Sequence, residues 1–211
     1  MLKASKLIIN KIIYRLFPPK EERLLEMIWL EAKQSKSFLL DLDFEDKYRL
    51  RQFVLTDREK YFKLLEVTEM GACPLDYWFQ YILPNGFFVV EHIKSGDLVG
   101  ACFASHQSKL RHPFAGNLGW LAVDPSHRGN KIGIVLVDAV LRRLLHSGYE
   151  RIYLETHDFR LAAIKIYLQM GWLPFLYTHE MNQRWEVIYS QLGYNYNPSI
   201  YPKDCLPEIT N

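Results

Sequence analysis

Cysteine is scarce in this chain of 211 residues: Cys73, Cys102 and Cys205 are widely scattered and odd in number, so no disulfide framework is implied. The expected compartment is a reducing cytoplasm. An excess of one charge is also missing. With 26 Lys and Arg against 24 Asp and Glu, the formal net charge of +2 is too small to argue for nucleic acid as a partner. No apolar run approaches the roughly 20 residues that span a bilayer. The basic, apolar first 17 residues lack a small-residue cleavage site, so no cleaved leader is expected. Neither Gly-x-x-x-x-Gly-Lys-Ser/Thr nor Gly-x-Gly-x-x-Gly occurs, which excludes the two commonest phosphate loops. No metal site is expected.

Charge is unevenly placed. Residues 1–20 carry Lys3, Lys6, Lys11, Arg15 and Lys20 and no acid, so +2 less +5 leaves −3 on the rest. On a helical wheel Ile8, Ile9, Ile12, Ile13 and Leu16 share one face, opposite Lys3, Lys11 and Arg15. That helix would pack on its own domain or on a partner chain, the simplest case being a homodimer. The second reading is a basic helix on an anionic membrane surface. Pro18-Pro19 ends it, and Glu21 to Gln34 is expected as a second helix with Leu24, Leu25, Ile28 and Trp29 apolar. Residues 1–46 thus read as a helical extension.

The most informative stretch runs from Asn117 to Gly133. A strand from Leu118 to Val123 stops at Asp124-Pro125, where proline cannot extend a ladder. A polar loop with Gly129 and Gly133 follows, then an amphipathic helix from Ile134 to Leu145 with Gly148 as its C-terminal cap. Strand, loop and helix start present free N–H groups to an anion, and Arg128 and Lys131 add positive charge.

Around that stretch the pattern predicts a strand over 48–55, a capping box Thr56-Asp57-Arg58-Glu59 opening a helix to Val67, and a short helix over 75–83. Pro84-Asn85-Gly86 is expected as a turn, with strands over 87–93 and 98–106 joined at Ser95-Gly96-Asp97. Arg151 to Thr156 is a strand, Asp158 caps a helix over 159–170, and Trp172 to Tyr177 is the last strand. An antiparallel front half and a β-α-β-α-β rear half make an α/β (α+β) fold with a mixed, mostly antiparallel sheet flanked by helices. Residues 179–211 are expected as a C-terminal helix and an irregular, tyrosine-rich tail over the surface.

Arg128-Gly129-Asn130-Lys131-Ile132-Gly133 resembles the pyrophosphate loop of the GNAT superfamily of N-acetyltransferases, Arg/Gln-x-x-Gly-x-Gly/Ala, with Lys131 where glycine is usual. Downstream, Ala163-Ile164, Tyr167 and Gly171-Trp172 fit the family's second pattern, with Arg160 replacing its asparagine. The resemblance covers about 47–178 and implies the GNAT fold, acetyl-CoA as cofactor and a primary amine as acceptor, on a small molecule or a peptide N-terminus.

It also implies roles. Amides of Gly129, Asn130, Lys131, Ile132, Gly133 and Ile134, with Arg128, would anchor the diphosphate. Leu121 and Val123 would border a slot opened by a β-bulge, and Arg160 and Ala163 would flank the pantetheine arm. Tyr167, a phenol with an ordinary pKa near about 10, would donate to the departing thiolate. Asn117 and Gly119 stand where many relatives place the base and cannot serve. Glu155, 12 residues before Tyr167, is the candidate base, with His157, His106 and Glu91 in reserve. Tyr77, Trp78, Phe79, Tyr81, Phe87 and Phe88 fall where the fold builds its acceptor wall. The alternatives are an acyl-CoA-binding module without turnover, kept open by Lys131 and by the missing base, and a membrane-associated acyltransferase with longer acyl donors.

Overall fold

The computed structural model describes residues 23–30, 46–68 and 70–202. Its strands are β1 (Leu25–Leu30), β2 (Tyr48–Gln52), β3 (Ile82–His92), β4 (Leu98–Ser105), β5 (Gly116–Val123), β6 (Arg151–Thr156) and β7 (Leu173–Phe175). Its helices are α1 (Arg58–Val67), α2 (Leu75–Phe79), α3 (Ile132–His146), α4 (Leu161–Gln169) and α5 (His179–Leu192). The strands form one mixed sheet in the order β2-β3-β4-β5-β6-β1-β7. Only β5 and β6 run parallel, as the α3 crossover between them requires.

One face of the sheet, carrying Leu25, Met27, Trp29, Leu118 and Leu154, is covered by Leu136 of α3, Ile164 of α4 and Trp185 of α5. On the other face α1 and α2 place Tyr61, Leu64 and Leu75 over Val89, Ala101, Phe103 and Ala122. Beyond them Ile28, Tyr153 and Phe175 pack with Ala115 at the end of the 106–115 loop.

α3 begins two residues earlier than its pattern predicts. Ile132, Leu136, Val137, Val140, Leu141 and Leu144 are buried along it. At about 1.5–3 kcal/mol for each fully buried side chain, this stripe outweighs the surface Asp138–Arg142 pair (2.7 Å), worth about 0.5 kcal/mol. Gly100 lets the start of α3 approach β4, since a Cβ there would lie 2.6 Å from Ile132 Cγ2. Gly148 takes φ +83° just past the helix end, a left-handed turn that suits glycine.

Several expectations are corrected. Residues 25–30 form a strand, not part of a helix over 21–34, and they pair with both β6 and β7. All but Leu30 are buried, because the strand is interior and both its faces are covered. A short apolar run of that kind carries no periodicity that separates strand from helix. The N-terminal segment is thus part of the sheet over 25–30. The helix expected from Ile8 to Leu16 and the flanks of the second lie outside the described residues.

Pro84-Asn85-Gly86 is a kink within β3, where the register shifts between Ile82 and Phe87 and Asn85 has φ +54°. β2 reaches only Phe88, so Pro84 lies on an edge where no ladder donor is needed. α2 stops at Phe79, short of 83. A 3-10 turn over Leu55–Asp57 precedes α1, and Asp57 rather than Glu59 closes the helix start by accepting from Val54 N–H at 3.0 Å. Asp158 does not cap α4, which has no side-chain cap; it pairs with Arg184 instead. Beyond α5 the tail folds back, with Tyr201 buried against Tyr189 and Leu176 N–H donating to Pro202 O at 3.1 Å. Cys73 and Cys102 are buried free thiols.

Candidate functional site

The site grows from the end of β5. Asp124 accepts from Ser126 N–H at 2.8 Å and closes a 3-10 turn over Pro125–His127. Gly129 has φ +83° and Lys131 φ +60°, the left-handed region that favours glycine, so Lys131 holds a backbone conformation that a glycine would take without strain. The first amide of α3 to reach the loop is that of Val135, which donates to Lys131 O at 3.1 Å. Ile132, Gly133 and Ile134 N–H therefore have no backbone acceptor among the described residues, as a helix start leaves them.

Those amides open onto a cavity of about 550 Å3. Of the expected cofactor-binding residues, Leu121, Val123, Arg128, Gly129, Lys131, Ile132, Gly133, Ile134, Arg160 and Ala163 line it. Asn130 does not; its Nδ2 donates to His127 O at 3.0 Å and braces the loop from within. Among the described residues three cationic side chains and no carboxylate border the cavity. Burial pushes the Arg160 pKa below its ordinary value, a desolvated charge that a bound anion would relieve. This lining fits a phosphorylated ligand.

The cavity floor is the end of β5, Leu121 to Val123, beyond the point where the sheet splits. Cys102 of β4 faces both Trp120 and Leu121 of β5, and Trp120 takes φ +54°, which marks a β-bulge. β5 and β6 pair only at Gly116–Ile152 and Asn117–Tyr153, then part. Asn117 secures the last joined rung: Nδ2 donates to Tyr153 O at 3.3 Å and Oδ1 accepts from Ser105 Oγ at 3.1 Å. At Gly119 a Cβ would lie 2.5 Å from the Phe103 ring.

Tyr167 lies one helical turn beyond Ala163 on the α4 side, 4% exposed and 5.8 Å from the Trp172 ring. It does not line the cavity. Burial, with the Cys102 thiol nearby, raises its pKa well above the ordinary phenol value despite the opposing Arg160 charge. The phenol is protonated at neutral pH, a donor and not a base.

Glu155 lies on the opposite face, sharing it with Tyr153 two residues earlier. It is outside the cavity and ion-paired with Lys109 of the 106–115 loop. Continuing the β5–β6 register sets it level with Gly119, just before the bulge. Of the reserves, Glu91 is held by Arg51 at 2.7 Å and His106 stacks on Tyr149. His157 stacks on Phe159 at the cavity rim with ring centroids 5.1 Å apart.

Among the expected acceptor-wall aromatics, Trp78, Phe79 and Phe87 belong to the α1–α2 core. Tyr77 stays exposed and accepts from Gln107 Nε2 at 2.6 Å. Sequence reasoning missed Phe159, which lines the rim while 76% exposed, and Thr68 and Met70, which border the cavity from beyond α1. It also missed Lys109, whose partner is 46 residues away; no local pattern signals that contact.

Residues 47–172 match the model of the acetyltransferase (GNAT) family. A mycothiol acetyltransferase from Sanguibacter keddieii is 32% identical over 109 residues, 51% of this chain and 33% of that protein. An uncharacterised N-acetyltransferase from Schizosaccharomyces pombe is 31% identical over 96 residues, 44% of this chain and 55% of its own length. The chain thus spans between a third and about half of the length of these curated relatives. A GCN5-related N-acetyltransferase from Sphaerobacter thermophilus shares the fold with a TM-score of 0.54 at 16% identity, over 79% of this chain and 52% of that one. With the family model covering more than half of the chain, and the split strand, left-handed loop and helix start all in place, the protein belongs to the acetyltransferase (GNAT) family.

Proposed function

We propose that the protein moves an acetyl group from acetyl-CoA to a primary amine, on a small molecule or a peptide N-terminus, by direct attack. The observation that carries this reading is the cavity joining an anion-binding helix start to a parted pair of strands. The α3 amides, with Arg128 and Lys131, would hold the diphosphate. Past Asn117 the β5 backbone has no β6 ladder partner, so groups near Leu121 and Val123 are free to bond the pantetheine arm and polarise the acyl carbonyl. Arg160 and Ala163 would flank that arm. Bound acetyl-CoA supplies the activated carbonyl; the chain supplies orientation and the two proton transfers. Tyr167 would give its proton to the departing sulfur, and Glu155 would take one from the acceptor ammonium. The cytoplasm, suggested by the free buried thiols, belongs to the same proposal.

The test is Tyr167→Phe. The expected result is a kcat lowered about 100-fold, the scale of a positioned proton donor, with CoA affinity unchanged by calorimetry. An unchanged kcat would remove Tyr167 as donor.

One observation favours the binding-module reading: among the described residues no carboxylate or imidazole lines the cavity, and Glu155 is engaged by Lys109. That reading predicts CoA binding with no turnover across a broad screen of amines. The membrane-associated reading rests on residues 1–17, outside the described residues. Among the described residues no helix is long and apolar enough to cross a membrane.

A further inference from the structure

The 106–115 loop is tied down on both sides of Lys109. His106 N–H donates to Tyr81 O at 2.8 Å, and its ring stacks on Tyr149. Arg111 and His112 both bond the carboxylate of Glu26 on β1. Between these anchors the Lys109 side chain reaches the Glu155 carboxylate, with its ammonium 5.8 Å from the centroid of the Tyr153 ring. The pair keeps 34% and 26% of its side-chain surface. The Tyr153 hydroxyl donates to Gln107 O at 3.3 Å and His112 stacks on the ring at 4.3 Å, so the cation takes the remaining face. An aliphatic stem, an ammonium, a carboxylate and an aromatic face are the elements by which a site recognises an alkylammonium ion.

We infer that Lys109 occupies the acceptor's ammonium subsite, and that the substrate class is a primary alkylamine that displaces it from Glu155. This rests on the proposed reading of Glu155 as the base. Exchange of one ammonium for another leaves the carboxylate paired throughout, so no uncompensated charge is created on the way. The half-exposed pair leaves the incoming amine a route from solvent, and the anchored backbone keeps the subsite in shape while the side chain leaves. Selectivity follows from the same parts. A flexible, protonated alkylamine fits the position of a lysine stem, whereas an aromatic amine, neutral at pH 7, brings no charge for Glu155. Until an acceptor arrives, Lys109 holds the base in an ion pair and so guards the thioester against water activated by a free carboxylate.

The experiment uses n-butylammonium as probe, titrated by calorimetry into the full chain and into Lys109→Met, which keeps the stem and removes the charge. Lys109→Met should bind it at least tenfold more tightly, and the gain should vanish in Lys109→Met/Glu155→Gln. n-Butanol should bind all three proteins alike. Equal or weaker binding of n-butylammonium by Lys109→Met overturns the inference, as does a gain that survives Glu155→Gln. Lys109→Ala, checked for an unchanged melting temperature, repeats the comparison with the stem removed. CoA binding is read separately in each variant. Its absence would point to failure of the proposed function, whereas intact CoA binding without the tenfold gain would reject the ammonium subsite alone.

Discussion

Lys131 carries the strain of the cofactor loop. A side chain at φ +60° meets its own backbone in a way that glycine avoids, at a cost of about 1–2 kcal/mol. In exchange it sets a cation beside the unpaired amides of α3. Lys131→Gly should therefore separate stability from binding. Relief of the strain, about 1–2 kcal/mol, less glycine's chain entropy of about 0.5–1 kcal/mol, leaves a gain of up to about 1.5 kcal/mol. For a chain of this size that is a melting temperature raised by up to about 6 °C. CoA affinity should fall about two- to fivefold, the weight of one exposed charge, with a weaker dependence on salt. A lower melting temperature together with unchanged affinity would contradict both halves. The sequence shows a lysine at the motif's glycine position but not which side gives way. The backbone conformation is set by the turn that starts α3, and the side chain conforms to it. Arg160 is legible in the same partial way: the substitution can be read, while its desolvation and its place on the cavity wall depend on how α4 packs.

At the scale of elements, β1 is the strand that local reading misassigns, and it is also what holds the Glu155 face of the sheet together. Glu26 pairs in register with Glu155 across β1 and β6, so two acids face the same side of the sheet. Like charges directly opposite destabilise a ladder unless they are compensated. Here Lys109 compensates Glu155, while Arg111 compensates Glu26 and His112 adds a hydrogen bond to it. His112 stacks on Tyr153 with centroids 4.3 Å apart, and its Nδ1 accepts from Arg151 at 3.2 Å, so one buried cluster joins β1, β6 and the loop. Burial alone would raise the Glu26 pKa, but hydrogen bonds from His112 and Arg111 and the Arg111 charge outweigh it and hold the carboxyl below its ordinary value of 4.5. Between the folded and unfolded pKa values the unfolded chain binds more protons, so stability rises with pH there. This contribution is fully present above about pH 4.5 and is lost as pH falls through the lower, folded value. Glu26→Gln should cost on the order of 2 kcal/mol at pH 7, the scale of a charged buried hydrogen bond. It should also flatten the acid limb of a chemical-denaturation profile below about pH 4.5. An unchanged acid limb would remove Glu26 as its source. None of this cluster is legible locally, because its members come from residues 26, 111, 112, 151 and 153.

At the scale of the whole molecule the sheet is a partition. The α3 start proposed to hold the diphosphate, Arg160 and Tyr167 lie on the face of α3 and α4, while Glu155, Lys109 and the exposed Tyr77 lie on the other. On the proposed function, acceptor and thioester would meet where β5 and β6 part. The order of strands from β2 to β6 and both diagnostic loops can be read from the sequence, since strand-loop-helix units announce their own boundaries through Asp-Pro, glycine and apolar periodicity. The closure of the sheet by β1 cannot, since it joins segments more than a hundred residues apart. The central claim is that the loop after Val123 binds the CoA diphosphate, and calorimetric titration of CoA into the protein and into Gly133→Glu tests it most directly. A Cβ at residue 133 points at the flexible end of Ile166, 2.8 Å away, and glutamate favours a helix more than glycine does. The variant is therefore expected to fold, which a melting curve checks. CoA should bind the parent protein, more weakly as salt is raised, and binding should be abolished in Gly133→Glu by negative charge and bulk at the diphosphate. Equal affinity for CoA in the two folded proteins would contradict the account.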